Sequence, residues 1–444
     1  MGGYLAYKFD FEFNITVLGA VDSTLSVIVS QEIKTVNFLQ GLIKLKMSDE
    51  NQLRDSYREM LDQFLRSIPV FPEHRFQGRG IVLCGGGTVY FPCIWVCIRM
   101  LRSFGCTLPI ELWYRGPREM TDEMKALLET YDVVCRDSFA VAREFPVRRL
   151  DGWELKPYAI LNSRFAEVLY IDADNVVVRN PEFLFDTVLY ADTGALFWQD
   201  LPNDTSGLSY LKDNAWDLLG LPFRDEPPFE SGQLLVDKRR CWRPLQLTLH
   251  LNEHSDYYYT AFFGDKDTFH LAWRKVEQEY SLNPHVPGVL SAQRALVQFD
   301  PDGKRLFQHR CNAKWTITER NLRIPGFLYE EECLALLQEL QDRWSPDSCV
   351  FSYTPVEQAA FDEIVRRQTF RDESDGGVWT FQSDLTVSFN GEPFNWQVEE
   401  EKDGTAVLLI MDSDRRLSFL RKTPPGNWAG RWRYGDRSFL ELSQ

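Results

Sequence analysis

The chain has 444 residues and carries 65 Asp and Glu against 49 Lys and Arg, a formal net charge of −16. This length is typical of two or three domains. The negative charge argues against general nucleic-acid binding and against docking on anionic membranes, because both need a basic surface. Hydrophobic residues make up 44% of the chain and aromatic residues 14%, which is enough for a large core and excludes a wholly disordered chain.

The first 77 residues form a predicted lead-in with one clear helix, from Ser48 to about Arg66. No basic start followed by an apolar stretch is seen, so we expect no signal peptide. The most apolar early stretch, residues 15–29, is short and contains Asp22, so we expect no transmembrane segment. Cys93 and Cys97 are predicted to be buried free thiols. These features together favour a cytoplasmic protein.

Residues 78–320 show strand patterns that alternate with helix patterns. This alternation predicts an α/β fold, with a mostly parallel sheet flanked by helices. Ligands of such sheets bind at the carboxyl ends of the strands. The predicted strands are 81–84, 110–114, 133–135, 168–171 and 234–236. The predicted helices begin at Pro92 (to about Phe104), after a Thr121 cap (to Thr130) and at Lys156 (to Phe165).

The C-terminal part of the chain has a different pattern. Residues 321–375 are predicted to be a helical linker, with one helix from Tyr329 to Arg343. Residues 376–444 alternate apolar and polar positions, with tight-turn signals at 390–391 and 403–404, which predicts a small antiparallel β module. Its four tryptophans are expected to be core, although sugar binding is the alternative; they are Trp379, Trp396, Trp428 and Trp432.

Two carboxylates at the end of a predicted buried strand are the sharpest chemical signal. Residues 168–171 read Val-Leu-Tyr-Ile, and Asp172-Ala173-Asp174 follows directly. In an extended chain, side chains at i and i+2 lie on the same side, so the two acids should repel unless a cation lies between them. Mn²⁺ or Mg²⁺ suits carboxylate oxygens and keeps coordination positions open for phosphate. A solvated turn is the alternative interpretation.

Further polar segments fit around this pair, each with a structural alternative. Lys156 could reach a diphosphate, or lie on the surface. Glu230 precedes a predicted Ser-Gly turn and could face a reacting sugar, or only cap that turn. Asp265 and Asp267 begin a predicted helix, where capping alone could explain them. His309 and Lys314 could bring a metal ligand and a phosphate contact to one loop.

The order of these motifs resembles that of GT-A nucleotide-sugar glycosyltransferases. The closest likeness is to the fungal α-mannosyltransferases (glycosyltransferase family 71), with a more distant likeness to glycogenin-type enzymes, over about residues 78–320. This resemblance implies that Asp172, Asp174 and His309 hold Mn²⁺ on the donor diphosphate. It places Glu230 or Asp267 nearest the anomeric carbon. The residues that it assigns to the donor site are Gly85, Gly86, Gly87, Lys156, Gln233 and Lys314.

The resemblance predicts a metal-dependent hexosyltransferase that works with retention. GDP-mannose is the favoured donor, a UDP-hexose is possible, and the acceptor is an unidentified glycan or glycoconjugate. One rival is a phosphohydrolase of the haloacid-dehalogenase type, in which Asp172 would be the nucleophile and Asp174 the general acid. The other rival is a non-catalytic carbohydrate-binding protein that uses the β module. The sequence does not distinguish between the sugars and does not identify the acceptor or the oligomeric state.

Overall fold

The computed structural model describes residues 52–150, 152–201, 213–291, 294–346, 353–373, 376–383, 386–389, 391–400, 404–412, 415–416, 418–423, 426–432 and 439–443. The chain divides into two compact units, residues 1–64 and 65–444. Helix α1 spans residues 52–67, which confirms the predicted N-terminal helix. Its predicted cap, Ser48, lies outside the described residues.

The second unit begins with a seven-stranded mixed sheet in the order β3-β2-β1-β4-β7-β6-β8. The strands are β1 (Arg79–Cys84), β2 (Ile110–Tyr114), β3 (Val133–Asp137), β4 (Glu167–Ile171), β6 (Ala195–Gln199), β7 (Phe229–Asp237) and β8 (Ser281–Leu282). Neighbours from β3 through β4 are parallel, and β7 is antiparallel to both of its neighbours. The predicted α/β class with a mostly parallel sheet is confirmed.

Helices follow the strands in the predicted alternation. They are α2 (Gly87–Ser103), α3 (Asp122–Glu129), α4 (Ser138–Val141), α5 (Leu155–Asn162), α6 (Val188–Thr193), α7 (Asp213–Leu218), α8 (Trp242–Glu253), α9 (Ser255–Tyr258) and α10 (Asp265–Lys275). The predicted Thr121 cap is confirmed, since its side chain accepts from the Met124 amide at 3.2 Å. The predicted start of α2 at Pro92 is wrong: the helix begins at Gly87 and Pro92 lies inside it. The buried apolar face of α2 compensates for the hydrogen bond that proline cannot donate.

A second, four-stranded sheet brings a distant part of the chain to the end of β4. Its order is β5 (Asn175–Val177), β11 (Arg305–His309), β10 (Ala295–Phe299) and β9 (Gly288–Leu290). In the antiparallel register of β5 and β11, His309 lies opposite Asn175. Since Asn175 directly follows Asp174, this pairing places His309 beside the two aspartates.

Two helices and a nine-stranded antiparallel sheet complete the unit. The helices are α11 (Glu330–Gln341), close to the predicted bounds, and α12 (Pro355–Arg367). The strands are β12 (Thr369–Asp372), β13 (Val378–Phe381), β14 (Thr386–Phe389), β15 (Glu392–Glu400), β16 (Ala406–Asp412), β17 (Arg415–Arg416), β18 (Ser418–Thr423), β19 (Asn427–Trp432) and β20 (Phe439–Ser443). A pairing between β15 and β16 closes the sheet on itself. The sheet begins at Thr369, ahead of the predicted start at residue 376.

Three tryptophans of the β module belong to its core. Trp379, Trp396 and Trp428 are at most 1% exposed and pack with Ile364 of α12. The core interpretation is therefore confirmed for these three rings. They offer no surface on which a sugar could stack, so the carbohydrate-binding alternative loses its main support.

Candidate functional site

The two aspartates lie in a turn between β4 and β5, not on an extended strand. The amide of Asn175 donates to the carbonyl of Asp172 at 3.0 Å, which closes the turn. The predicted geometry, with both side chains on one side of an extended chain, is therefore wrong. Both carboxylates still reach the same site at the carboxyl end of the sheet, but each has its own partners.

Asp174 is held by two cations from the segment after β11. His309 Nε2 lies 3.0 Å from one carboxylate oxygen, and Lys314 Nζ contacts the other. Burial alone would raise the pKa of Asp174, but the charges of Lys314 and His309 hold that pKa well below its usual value. Asp174 is therefore ionised, and it joins the aspartate turn to the loop that carries His309 and Lys314.

Asp172 has a different partner, the buried ammonium of Lys156 on α5. Lys156 Nζ lies 3.2 Å from Asp172 and 2.8 Å from Asp265, and it donates to the Ser231 hydroxyl at 2.9 Å. Tyr170 donates its hydroxyl to Asp172 at 2.7 Å. Burial raises the pKa of Asp172, against the opposing charge of Lys156. Lys156 is thus an internal counter-ion here, and its predicted contact with a diphosphate stays a prediction.

Glu230 lies within β7, so the predicted turn around Ser231 and Gly232 is wrong. The strand runs through this segment because it pairs with β4 on one side and β6 on the other. Glu230 accepts from the Gly232 amide at 2.6 Å and lies 3.7 Å from His309 Nδ1. Burial opposes its charge, but His309 lowers the pKa of Glu230 to about 2. A Cβ on Gly232 would lie 2.7 Å from both groups, so glycine is needed there.

Asp172, Glu230 and His309 form a set of potential metal ligands. One ligand atom from each lies within 4.8 Å of the other two. His309 Nδ1 is buried without a hydrogen-bond partner in the described part of the chain. Two carboxylates and an imidazole fit Mn²⁺ or Mg²⁺. The sequence analysis did not predict Glu230 as a metal ligand. It predicted Asp174, whose carboxylate contacts His309 and Lys314 in the structure.

The glycine segment after β1 packs against the aspartate turn. An added Cβ on Gly85 would lie 3.4 Å from the Cβ of Ala173, between the two aspartates. Gly87 adopts a φ of +72°, which favours glycine. The structure thus brings Gly85–Gly87 to the end of β4, as the resemblance implied. Their contact with a nucleotide stays a prediction.

The remaining predicted residues lie close by but are differently engaged. Gln233 is fully buried and accepts from Asn175 at 3.0 Å. Asp267 accepts the amide of Phe263 at 2.7 Å, and burial raises its pKa to about 6. Its helix neighbour Asp265 is the acid that joins the Lys156 network.

Sequence reasoning missed one buried ion pair, between Asp200 and Lys266. Asp200 directly follows β6, and the register of β6 with β7 sets Trp198 opposite Glu230. The signal was available, because Asp200 is a carboxylate at the end of an apolar strand, like Asp172.

Comparisons with known proteins find a matching family model and several relatives. Residues 78–211 and 224–305 match a family model described as "Mannosyltransferase putative". Relatives include the α-1,2-mannosyltransferase MNN24 of Candida albicans, 28% identical over 56% of this chain and 41% of that protein. MNN5 of Saccharomyces cerevisiae is 28% identical over 47% of this chain and 45% of its own length. The chain thus spans about half the length of these relatives, or less.

The similarity to solved structures is weaker than the similarity to these relatives. The galactosyltransferase LgtC, in complex with donor and acceptor sugar analogues, matches 63% of this chain and 99% of its own at 15% identity and a TM-score of 0.32. Mouse xyloside xylosyltransferase 1 matches 46% and 84% of the two chains at 15% identity and a TM-score of 0.33.

The sequence matches make the chain similar to glycosyltransferases. More particularly, the family model and the relatives are mannosyltransferases, which confirms the resemblance that the motifs suggested. The position of Asp172 in the fold argues against the phosphohydrolase alternative. The first motif of those enzymes normally follows the first strand of the domain, whereas Asp172 follows β4.

Among the described residues, no helix has the length and apolar character that a membrane span needs.

Proposed function

We propose that the protein transfers a hexose from a nucleotide sugar to a glycan acceptor, with a divalent metal and with retention. Mannose is the favoured sugar and GDP-mannose the favoured donor, because the relatives are α-1,2-mannosyltransferases. The observation that carries this proposal is the convergence of Asp172, Glu230 and His309 within 4.8 Å at the end of β4. A site of this kind lies where α/β sheets bind their ligands.

Asp172, Glu230 and His309 would hold Mn²⁺ or Mg²⁺, with Asp174 orienting the imidazole from its other nitrogen. When bound, the metal would neutralise charge on the diphosphate. Lys314 lies 20% exposed beside Asp174, so it can add a second positive charge toward a bound phosphate. These two cations would stabilise the negative charge that grows on the departing nucleotide.

A carboxylate near the sugar ring would stabilise the positive charge that develops at the anomeric carbon. Glu230 suits this role because its pKa of about 2, held down against burial by His309, keeps it ionised. Asp267 suits it less, because burial raises its pKa to about 6 and its carboxylate accepts the Phe263 amide. We therefore favour Glu230 over Asp267.

Thermal shift with GDP, UDP and CDP, each with and without Mn²⁺, tests the donor. A nucleotide that binds only the folded protein raises its melting temperature. We expect the largest rise with GDP and Mn²⁺ together. Incubation with GDP-mannose and methyl α-D-mannopyranoside should then yield a disaccharide. The proposal would be contradicted if none of the nucleotides shifted the melting temperature and no sugar nucleotide were consumed.

A further inference from the structure

Two ion pairs tie the β module to the loop between β2 and α3, residues 115–120. Arg115 lies 3.2 Å from Glu399 on β15, and Arg118 lies 2.6 Å from Glu357 in the first turn of α12. Glu357 also accepts the Glu400 amide at 2.8 Å. These groups are at least four-fifths buried, so solvent screens them little. The module is therefore fixed to this loop by desolvated charges.

The same loop supports the glycine segment at the candidate donor site. Arg115 donates to Glu119 at 2.9 and 3.1 Å, which fixes the position of Glu119. The Glu119 carbonyl then accepts the Gly87 amide at 2.6 Å. A Cβ on Gly86 would lie 2.6 Å from Glu119, so the two backbones are in close contact. The loop thus sets the position of Gly85–Gly87 against Ala173 of the aspartate turn.

We propose that the β module positions the donor-binding glycine segment, with Glu399 as a positioning residue that acts through Arg115 and Glu119. This inference rests on the proposed function, because it takes Gly85–Gly87 as part of the donor site. It gives the module a role that its buried tryptophans do not provide. Since Glu399 lies outside the proposed set of metal ligands and acts through Arg115, its loss should weaken donor binding and leave the chemical step in place.

The test compares Glu399→Gln with Glu363→Gln. Glu363 lies on α12 of the same module, and its side chain is 16% exposed against 15% for Glu399. It pairs with Arg367 and Lys422, both within the module. Both variants should lower the melting temperature by similar amounts. Only Glu399→Gln should raise the donor KM, by about tenfold, with kcat within about twofold of the wild type.

Glu399→Asp provides a second variant, should Glu399→Gln fold poorly. It keeps the charge but shortens the reach to Arg115, so we expect a donor KM between those of the wild type and Glu399→Gln. An unchanged donor KM in both variants would overturn this inference, as would an equal rise in Glu363→Gln. A wild-type chain that binds no nucleotide would instead overturn the proposed function.

A separate observation concerns two exposed aromatic residues, Trp153 and Phe263, which we name the aromatic rim. Their exposed fractions are 42% and 53%. The Trp153 ring lies on Gly264, where an added Cβ would come within 2.6 Å of it. Gly264 directly precedes Asp265, and the Trp153 carbonyl accepts the amide of Lys156 at 3.1 Å. Since Lys156 and Asp265 are themselves bonded at 2.8 Å, the aromatic rim borders the site.

Polar groups lie between the aromatic rim and Glu230. Lys266 Nζ lies 5.2 Å from the centre of the Phe263 ring and pairs with Asp200. Asp200 follows β6, and its amide donates to the carbonyl of Pro228, two residues before Glu230 in the chain. Flat apolar rings beside hydrogen-bonding groups are what a sugar requires, because its ring faces are apolar and its edge carries hydroxyls.

We infer that the acceptor sugar stacks on the aromatic rim and directs hydroxyls toward Asp200 and Lys266. This inference deepens the proposed function by assigning the acceptor to a surface. The carboxyl side of the sheet then divides into a metal and donor part, at Asp172 and His309, and an acceptor part, at Trp153 and Phe263.

Initial rates with GDP-mannose and methyl α-D-mannopyranoside test this surface. Trp153→Ala and Phe263→Ala should each raise the acceptor KM by about tenfold, while Trp153→Phe should restore much of the affinity. Tyr329→Ala is the control, an aromatic residue that is 40% exposed and contacts Phe104 beyond the far end of α2. That end lies about 25 Å from Gly87 at the usual rise of an α-helix.

The aromatic-rim inference fails if both alanine variants keep the wild-type acceptor KM, or if Tyr329→Ala raises it equally. A wild-type chain that neither binds nucleotide nor consumes GDP-mannose counts against the proposed function and not against the aromatic rim alone. The donor KM, measured in the same series, separates the two inferences. The rim variants should move chiefly the acceptor KM, and Glu399→Gln chiefly the donor KM.

Discussion

The ammonium of Lys156 lies 2.8 Å from a carboxylate oxygen of Asp265, and both side chains are less than 10% exposed. Asp265 begins α10, while Asp172, the second acid beside Lys156, directly follows β4. One buried positive charge therefore joins two elements that are distant in the sequence. Burial opposes the charge, but Asp172 and Asp265 raise the pKa of Lys156, so it stays protonated.

Lys156→Met should destabilise the fold strongly. The change removes the cation and leaves two buried acids without their partner, which typically costs about 3–5 kcal/mol. Urea unfolding followed by tryptophan fluorescence measures the loss. Lys125→Met is the control, because Lys125 pairs with a fully exposed Asp122 and such surface pairs contribute about 0–1 kcal/mol. Equal unfolding midpoints for the two variants would contradict the structural role of Lys156.

Asp174→Asn should abolish transfer without unfolding the chain. Asn keeps the size of the side chain but loses the charge that orients His309 and Lys314. Loss of one preorganised electrostatic contact commonly lowers kcat by about 10²–10³. The measurement is Mn²⁺-dependent turnover of GDP-mannose, with circular dichroism to confirm folding.

Asp256→Asn is the control for Asp174→Asn, since Asp256 pairs with Arg148 and Arg149 at 2.8 and 3.6 Å and belongs to no part of the site. We expect it to retain nearly wild-type turnover. Normal Mn²⁺-dependent turnover by Asp174→Asn would remove Asp174 from the site.

The sequence was sufficient to predict the elements whose patterns are local. The apolar run before Asp172 predicted β4, and the Thr121 cap predicted α3. The resemblance also implied that His309 lies with Asp172 and Asp174, and the structure places His309 Nε2 3.0 Å from Asp174. These predictions succeeded since each depends on a short segment or on the family's shared topology.

Other features depend on tertiary pairing that no local pattern contains. A Ser-Gly pair normally indicates a turn, but β7 continues through Ser231 and Gly232 because strands lie on both sides of it. Pro92 normally begins a helix, yet packing holds it inside α2. The ion pair between Arg115 and Glu399 joins separate parts of the chain, and neither residue lies in a recognisable motif.

Gly86→Ala should displace the glycine segment. The φ of Gly86 is 174°, an extended conformation that alanine adopts without strain, so any effect comes from contact alone. The new Cβ would lie 2.6 Å from the Cβ and carbonyl oxygen of Glu119, which must move. Overpacking of this kind costs about 1–3 kcal/mol, and we expect the donor KM to rise about tenfold or more.

Gly288→Ala is the control for Gly86→Ala, because its Cβ would meet Val297 at an ordinary 3.5 Å. We expect its donor KM to match that of the wild type. A Gly86→Ala protein with an unchanged donor KM and an unchanged thermal shift with GDP would show that the glycine segment does not contact the nucleotide.

Glu226 should make stability depend on pH in the acid range. It accepts from Arg274 Nε at 2.7 Å and from His270 Nε2 at 2.7 Å. Burial opposes its charge, but these partners lower the pKa of Glu226 from 4.5 to about 2. Because the folded-state pKa is depressed, the stabilisation is fully present above the unfolded-state value of 4.5 and is lost as the pH falls toward 2.

Glu226→Gln measures this contribution. At pH 7 the variant should be less stable than the wild type by about 1–2 kcal/mol, after allowance for solvent screening of a partly exposed group. Urea midpoints measured from pH 7 to pH 3 should converge for the two proteins below about pH 4.5, since the wild-type carboxylate then loses its advantage. Glu129→Gln, at an exposed position, should change stability by less than about 0.5 kcal/mol at every pH. A stability difference for Glu226→Gln that stayed constant, or grew, on acidification would contradict the assigned pairing with Arg274 and His270.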